Sequence, residues 1–99
     1  MPVLLSTNLD DPASIPYFLW DEPISVSELN HRLETASREE RMRLLGKILR
    51  EARDTDVWRF TTPREVWEHW QEISMHLGRR RAFWEFLFAR WETEGFLEE

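Results

Sequence analysis

Three capping boxes occur along this chain, and they constrain it to a helical fold. In each, a serine or threonine stands three residues before a glutamate, so that the hydroxyl can accept from the N–H of the third helical residue. The three pairs are Ser25–Glu28, Ser37–Glu40 and Thr62–Glu65. Pro63 adds a favoured first-turn proline, and Gly78 is a natural end for the helix that begins there. These signals predict helices over residues 26–35, 38–53, 63–77 and 79–94.

The predicted fold class is therefore all-α. We expect a small four-helix bundle-like domain over residues 16–99, preceded by an extended N-terminal arm. This arm, which is expected to be flexible, is assigned to residues 1–15, which contain two prolines, no apolar periodicity and no basic residue. Residues 54–60 interrupt the helical pattern with acidic and aromatic side chains and predict a compact, buried turn.

The segment PYFLW, residues 16–20, places bulky apolar side chains in a row and is followed by two acidic residues. This pattern predicts a short extended anchor. We expect Tyr17, Phe18 and Trp20 to be buried, either against the last helix or against a partner. Burial of each such side chain is worth roughly 2 kcal/mol, which is enough to pin a short segment.

Charge and composition narrow the class of protein. A chain of 99 residues has the size of one domain, and the absence of cysteine excludes disulfides and thiolate metal sites. No secretory leader pattern or long apolar run is present, so a cytoplasmic protein with no membrane span is expected. The net charge is −6, yet all thirteen basic residues lie between Arg32 and Arg90, where only ten acids occur. The basic middle of the chain is thus flanked by acidic ends.

The last predicted helix has more apolar surface than one core needs. Its apolar side chains spread over roughly 240° of the helical wheel, whereas a surface helix requires an arc of about 100°. These side chains are Ala82, Phe83, Trp84, Phe86, Leu87, Phe88 and Trp91. Phe83, Phe86 and Leu87 are expected to fill the core. Trp84 and Phe88 then point towards the apolar N-terminal segment, a second copy or another protein, and the spacing leaves all three open.

Motifs for catalysis or cofactor binding are not found. The three glycines form no phosphate-binding loop. His69 and His76 each follow a glutamate by four residues, Glu65 and Glu72, but no third ligand converges, so solvated ion pairs are the favoured interpretation. Ser25 and Ser37 serve as caps, and no nucleophile with a base and an orienting group can be assembled. We expect a protein that is not an enzyme and that holds no cofactor or metal.

The last predicted helix begins with three arginines, Arg79, Arg80 and Arg81, which suggest a second kind of partner. Arginines at a helix start can contact phosphates, and Trp84 could stack on a base. The alternative is a solvated first turn in which Arg81 pairs with Glu85. Overall acidity argues against general nucleic-acid binding, so a DNA-binding operon regulator is the second hypothesis rather than the first.

Three segments carry a resemblance to a known group of proteins: PYFLWD (16–21), LLGKILREARDTDVWRF (44–60) and LGRRRAFWEFL (77–87). In that order they resemble small bacterial proteins encoded beside AbiEii-type nucleotidyltransferase toxins. The resemblance implies an antitoxin partner that restrains the neighbouring enzyme by binding it. It departs from the winged-helix antitoxins of such toxins, because this chain has no convincing β-hairpin.

The leading hypothesis is an antitoxin-like or accessory binding module that neutralises a nucleotidyltransferase toxin, encoded alongside, by direct protein–protein contact. Aromatic residues and arginine are enriched at the energetic centres of interfaces, and 13% of this chain is aromatic. A homodimer stays open as an alternative use of the same surface. The residues assigned to partner binding are Tyr17, Phe18, Trp20, Asp21, Arg79, Arg80, Arg81, Trp84, Phe88 and Trp91.

Overall fold

The structure, a computed structural model, describes residues 4–95 and is mostly helical. Within these residues there are six α-helices and one pair of two-residue strands, which confirms the all-α class. The elements are β1 Leu5–Ser6, β2 Ile15–Pro16, α1 Val26–Thr35, α2 Arg38–Glu51, α3 Asp54–Val57, α4 Pro63–Glu68, α5 Trp70–Ile73 and α6 Arg81–Thr93.

The chain divides into two compact units, Met1–Arg41 and Met42–Glu99, and the boundary falls inside α2. The four-helix bundle expected from the sequence is not confirmed. The division into an arm over residues 1–15 and one domain over 16–99 stays a prediction, and both of its ends, residues 1–3 and 96–99, lie outside the described residues.

The first unit begins with a folded loop where an extended arm was expected. β1 and β2 pair in parallel, with Leu5 opposite Ile15. Side chains of the connecting segment accept from backbone N–H groups two residues on, as when Asp11 Oδ1 accepts from the N–H of Ala13 at 2.9 Å. Such local bonds are typical of tight turns built by aspartate, asparagine and serine. An extended arm over this segment is therefore not confirmed.

The start of α1 is bonded to this loop. The Ser25 hydroxyl accepts from the N–H of Glu28 at 3.1 Å, as the first capping box predicts. The two preceding N–H groups donate to loop carbonyls, Val26 to Ser14 at 2.9 Å and Ser27 to Pro12 at 3.0 Å. All three donors, which have no partner inside the helix, are satisfied. The predicted bounds of this helix, 26–35, are confirmed.

The PYFLW segment is not the extended anchor that the sequence suggested. Tyr17–Leu19 form a single turn of 3₁₀ helix. Phe18 is fully buried, as expected, and Tyr17 is half-buried with its ring 5.3 Å from that of Phe18. Trp20 is 61% exposed, so the expectation that it is buried within the chain is wrong. A helical turn separates neighbouring side chains by about 120°, which allows Phe18 inside and Trp20 outside.

The helices of the second unit are shorter than predicted. α2 ends at Glu51 rather than at 53, and the segment expected to be a turn forms α3 around the buried Val57. The helix predicted over 63–77 is interrupted at His69, whose φ of −111° leaves the helical region and whose N–H is shared by two carbonyls. A 3₁₀ turn, Ser74–His76, completes that segment. Neither glycine nor proline marks this break, so the sequence offered no signal for it.

Gly46 lets α2 approach the 3₁₀ turn closely. A Cβ added at this buried glycine would clash with the Cβ of His76. One helical turn further along α2, the Arg50 guanidinium donates to the His76 carbonyl at 3.1 Å. Positions 46 and 50 share one face of the helix, so the missing side chain and the hydrogen bond act on the same contact.

Trp84 is the largest fully buried side chain of the second unit. Its indole N–H donates to the Leu49 carbonyl at 2.9 Å. Leu49 lies in the last turn of α2, where backbone carbonyls have no N–H donor within the helix. The indole therefore satisfies a buried acceptor while it fills the core, and this bond joins α6 to α2.

Replacing Gly46 by alanine should destabilise the protein by about 1–2 kcal/mol, although alanine ordinarily favours a helix by about 1 kcal/mol. The reason is that a Cβ close to another backbone-anchored Cβ forces overpacking, which costs about 1–3 kcal/mol. Urea unfolding measures the change. In a His76→Gly background the penalty should disappear, and a more stable Gly46→Ala variant in the natural background would contradict the close contact.

Replacing Trp84 by phenylalanine should cost about 2 kcal/mol, because the ring is kept while the Leu49 carbonyl loses its donor. Alanine at the same position should cost about 3–5 kcal/mol through the cavity it leaves. Phe86→Ala on the exposed side of the same helix is the matched control, with an expected change below about 0.5 kcal/mol. Equal losses for Trp84→Ala and Phe86→Ala in thermal or urea unfolding would show that the helix is oriented differently.

Candidate functional site

The last helix is positioned by the turn before it. Gly78 has φ of +52°, the left-handed conformation that glycine adopts without strain, and ends the preceding segment as predicted. A short 3₁₀ turn, Gly78–Arg80, then leads into α6. Leu77, fully buried just before the glycine, fixes this entry.

The buried side of α6 belongs to an aromatic cluster. Phe88 is fully buried and stacks on Trp67, with ring centroids 5.6 Å apart and an angle of 18° between the planes. Trp70 and Trp91 also contact Phe88, at 5.5 and 5.4 Å. Trp84 meets Trp58 edge-on at 5.8 Å. Offset and edge-to-face pairs of this kind each contribute about 0.5–1.5 kcal/mol beyond the burial of their area.

The expected division of α6 between core and surface is therefore wrong. Trp84 and Phe88, which were expected to point away from the core, are the buried residues, whereas Phe83 and Phe86, which were expected in the core, are 41% and 65% exposed. A helical wheel gives relative directions only, so it could not say which apolar arc turns inwards. The indole donor decided this, because a buried tryptophan needs an acceptor and the Leu49 carbonyl lies on one side alone.

One side of the exposed surface of α6 is mainly apolar, while Arg81, Glu85 and Glu92 are exposed beside it. We call this mainly apolar side the outer face; its exposed members are Ala82, Phe83, Phe86, Ala89, Arg90 and Thr93. A shallow groove runs along it between Phe86 and Glu94. Two phenylalanines on one exposed helical face exceed what the core requires, and a clustered apolar surface of this kind is typical of interaction sites.

The three arginines before α6 differ in their surroundings. The Arg80 guanidinium lies over two rings, 5.0 Å from the centroid of Phe83 and 5.7 Å from that of Trp84. Arg81 Nε lies 3.0 Å from a Glu85 carboxylate oxygen, the ion pair considered in the sequence. Arg79 is exposed. These cation–π contacts favour a position of Arg80 at the edge of the outer face.

The remaining predicted site residues lie in both units. Trp91 is half-buried and contacts Trp58 at 6.0 Å, so it belongs to the aromatic cluster. In the first unit, Phe18 is buried and Tyr17 half-buried, while Trp20 and Asp21 are exposed. Among the exposed apolar residues that the sequence did not assign to binding are Phe83, Phe86, Ala89 and Met75, which is 72% exposed.

Three further features of the described residues concern metal sites, side-chain hydroxyl groups and membrane-spanning helices. Residues 4–95 contain no group of three or more histidine, aspartate or glutamate side chains placed to hold a metal ion. The Ser37 and Thr62 hydroxyls accept from the N–H groups of Glu40 and Glu65, as the capping boxes predict. Over the same residues, no helix combines the length and apolar character needed to cross a bilayer.

No protein-family description, no curated protein and no solved structure matches the chain.

Proposed function

We propose that this chain is a small helical binding module that restrains a nucleotidyltransferase toxin by direct protein–protein contact. The observation that carries the proposal is the exposure of Phe83 and Phe86 on the outer face of α6. The toxin as partner rests on the resemblance of the three sequence segments described above. In this proposal the chemistry belongs to the partner and this chain supplies the binding surface.

The energetics of the outer face favour binding. Burial of a phenylalanine side chain is worth roughly 2 kcal/mol, so two exposed rings on one helix supply a substantial part of an interface. Both rings sit on a regular helix, whose backbone pays no ordering cost on association. Arg80, whose guanidinium lies 5.0 Å from the centroid of the Phe83 ring, adds a cation beside the apolar centre. An aromatic centre with an arginine beside it is the usual composition of an interface hot spot.

The surroundings of the arginines favour a protein partner over DNA. Arg80 is engaged by aromatic rings and Arg81 by Glu85, so two of the three side chains already have contacts within the chain. A phosphate-binding cluster would need those guanidinium groups turned towards the ligand. A salt titration separates the two functions, because phosphate contacts give a steep log-linear loss of affinity with salt and an aromatic interface does not.

Replacing both Phe83 and Phe86 by alanine should abolish co-purification with the toxin encoded alongside and restore toxicity in co-expressing cells. The helical circular dichroism should be kept and the melting temperature should fall only modestly, because Phe86 is 65% exposed and Phe83, which is 41% exposed, loses its ring contact with Trp84. Met75→Ala is the matched control: it removes an exposed apolar side chain of the same unit outside α6 and should leave binding intact.

Binding that survives the double substitution would overturn this assignment of the surface. The Trp84→Ala and Phe88→Ala pair answers a different question, since it should unfold the second unit. Loss of binding in that pair therefore says nothing about contact, and the melting temperature must be measured beside every binding result.

A further inference from the structure

Four residues of the outer face of α6 follow a regular spacing along the helix. They are Ala82, Phe86, Ala89 and Thr93, which are separated by four, three and four residues, and all are exposed. We call these four residues the outer seam. Alternating steps of three and four are the spacing of the residues along which two helices pack in a coiled coil.

Side-chain size alternates along the outer seam. Phe86 is the one large ring, and an alanine lies on either side of it, at positions 82 and 89. The groove on this surface is lined by Phe86, Ala89, Arg90, Thr93 and Glu94. A second α6 running in the opposite direction, with its Phe86 over Ala89, would place a large side chain over a small one. The two-fold symmetry of such a pair repeats this fit at the second Phe86.

The charges around α6 select the direction of pairing. Residues 79–86 carry three arginines and one glutamate, whereas residues 87–94 carry one arginine and two glutamates. Antiparallel helices place the basic start of one against the acidic end of the other. Parallel helices would set three arginines against three arginines, and such like-charge contacts are strongly unfavourable at an interface.

We propose that the outer seam is a self-association surface, on which a second copy of this chain packs its α6 antiparallel with Phe86 opposite Ala89. The occupant is a second copy because the surface is complementary to itself in both shape and charge. The outer face is also the proposed toxin surface, so a toxin would displace the second copy. That consequence rests on the proposed function, whereas self-association is measured on this chain alone.

Sedimentation velocity of the full chain, over a concentration series in the micromolar range, tests the proposal. The natural sequence should shift from monomer to dimer. Ala89→Glu places a carboxylate where Phe86 must pack and should raise the dissociation constant at least about tenfold. Gln71→Glu is the matched control, because it adds the same charge at an exposed helical position outside α6 and should dimerise normally.

A monomer at every concentration would overturn the proposal and leave a different protein as the occupant of the outer seam. A dimer that Ala89→Glu leaves intact would overturn it too, because the two copies would then meet elsewhere. An Ala89→Glu variant that unfolds would contradict the exposure of this position, so circular dichroism is recorded with each sample.

Direction and register are tested by cross-linking, which is simple because the chain has no cysteine. In the proposed register Ala82 faces Thr93 of the second copy, and the two Ala82 positions lie about 16 Å apart along the helices. A disulfide requires Cα atoms within about 7 Å. Under mild oxidation Ala82→Cys alone should stay uncross-linked, while a mixture with Thr93→Cys should form a covalent dimer. Cross-linking of Ala82→Cys by itself would contradict the antiparallel arrangement.

Discussion

The hydrogen bond from the Trp84 indole to the Leu49 carbonyl is the interaction on which the second unit depends. At 2.9 Å it joins the middle of α6 to the last turn of α2. Each group needs the other: a buried indole N–H requires an acceptor, and a carbonyl at a helix end has no partner within the helix. The bond therefore allows the largest side chain of the unit to be fully buried without an unsatisfied polar group.

This bond also sets the rotation of α6 about its axis, and the rotation decides what faces solvent. Once Trp84 points inwards, Phe88 follows it one turn later and joins the rings of Trp67 and Trp70. Phe83 and Phe86 are then turned to the outside. The core and the proposed binding surface are thus two consequences of one orientation. A substitution that changed the rotation would alter both, which is why exposed and buried aromatic residues need separate experiments.

The first unit shows how a segment without regular structure becomes ordered. Its loop contributes two carbonyls, from Pro12 and Ser14, to the first N–H groups of α1, and Ser25 caps the third. A helix start leaves four donors without partners, so the loop gains hydrogen bonds by folding back onto it.

The starts of α1, α2 and α4 were determined by the sequence itself. Capping at Ser25, Ser37 and Thr62, and the left-handed Gly78, depend on residues within a few positions of each other, so a linear pattern contains all the information needed. The sequence also determined that α6 has more apolar surface than one core can use. The tertiary structure alone decided which side of α6 is buried and where the segment after Thr62 breaks. The buried side of α6 depends on contacts between residues far apart in the chain, above all the bond between Trp84 and Leu49, 35 positions apart. Periodicity reports the angles between side chains along a helix, and it contains no information about what lies on either side.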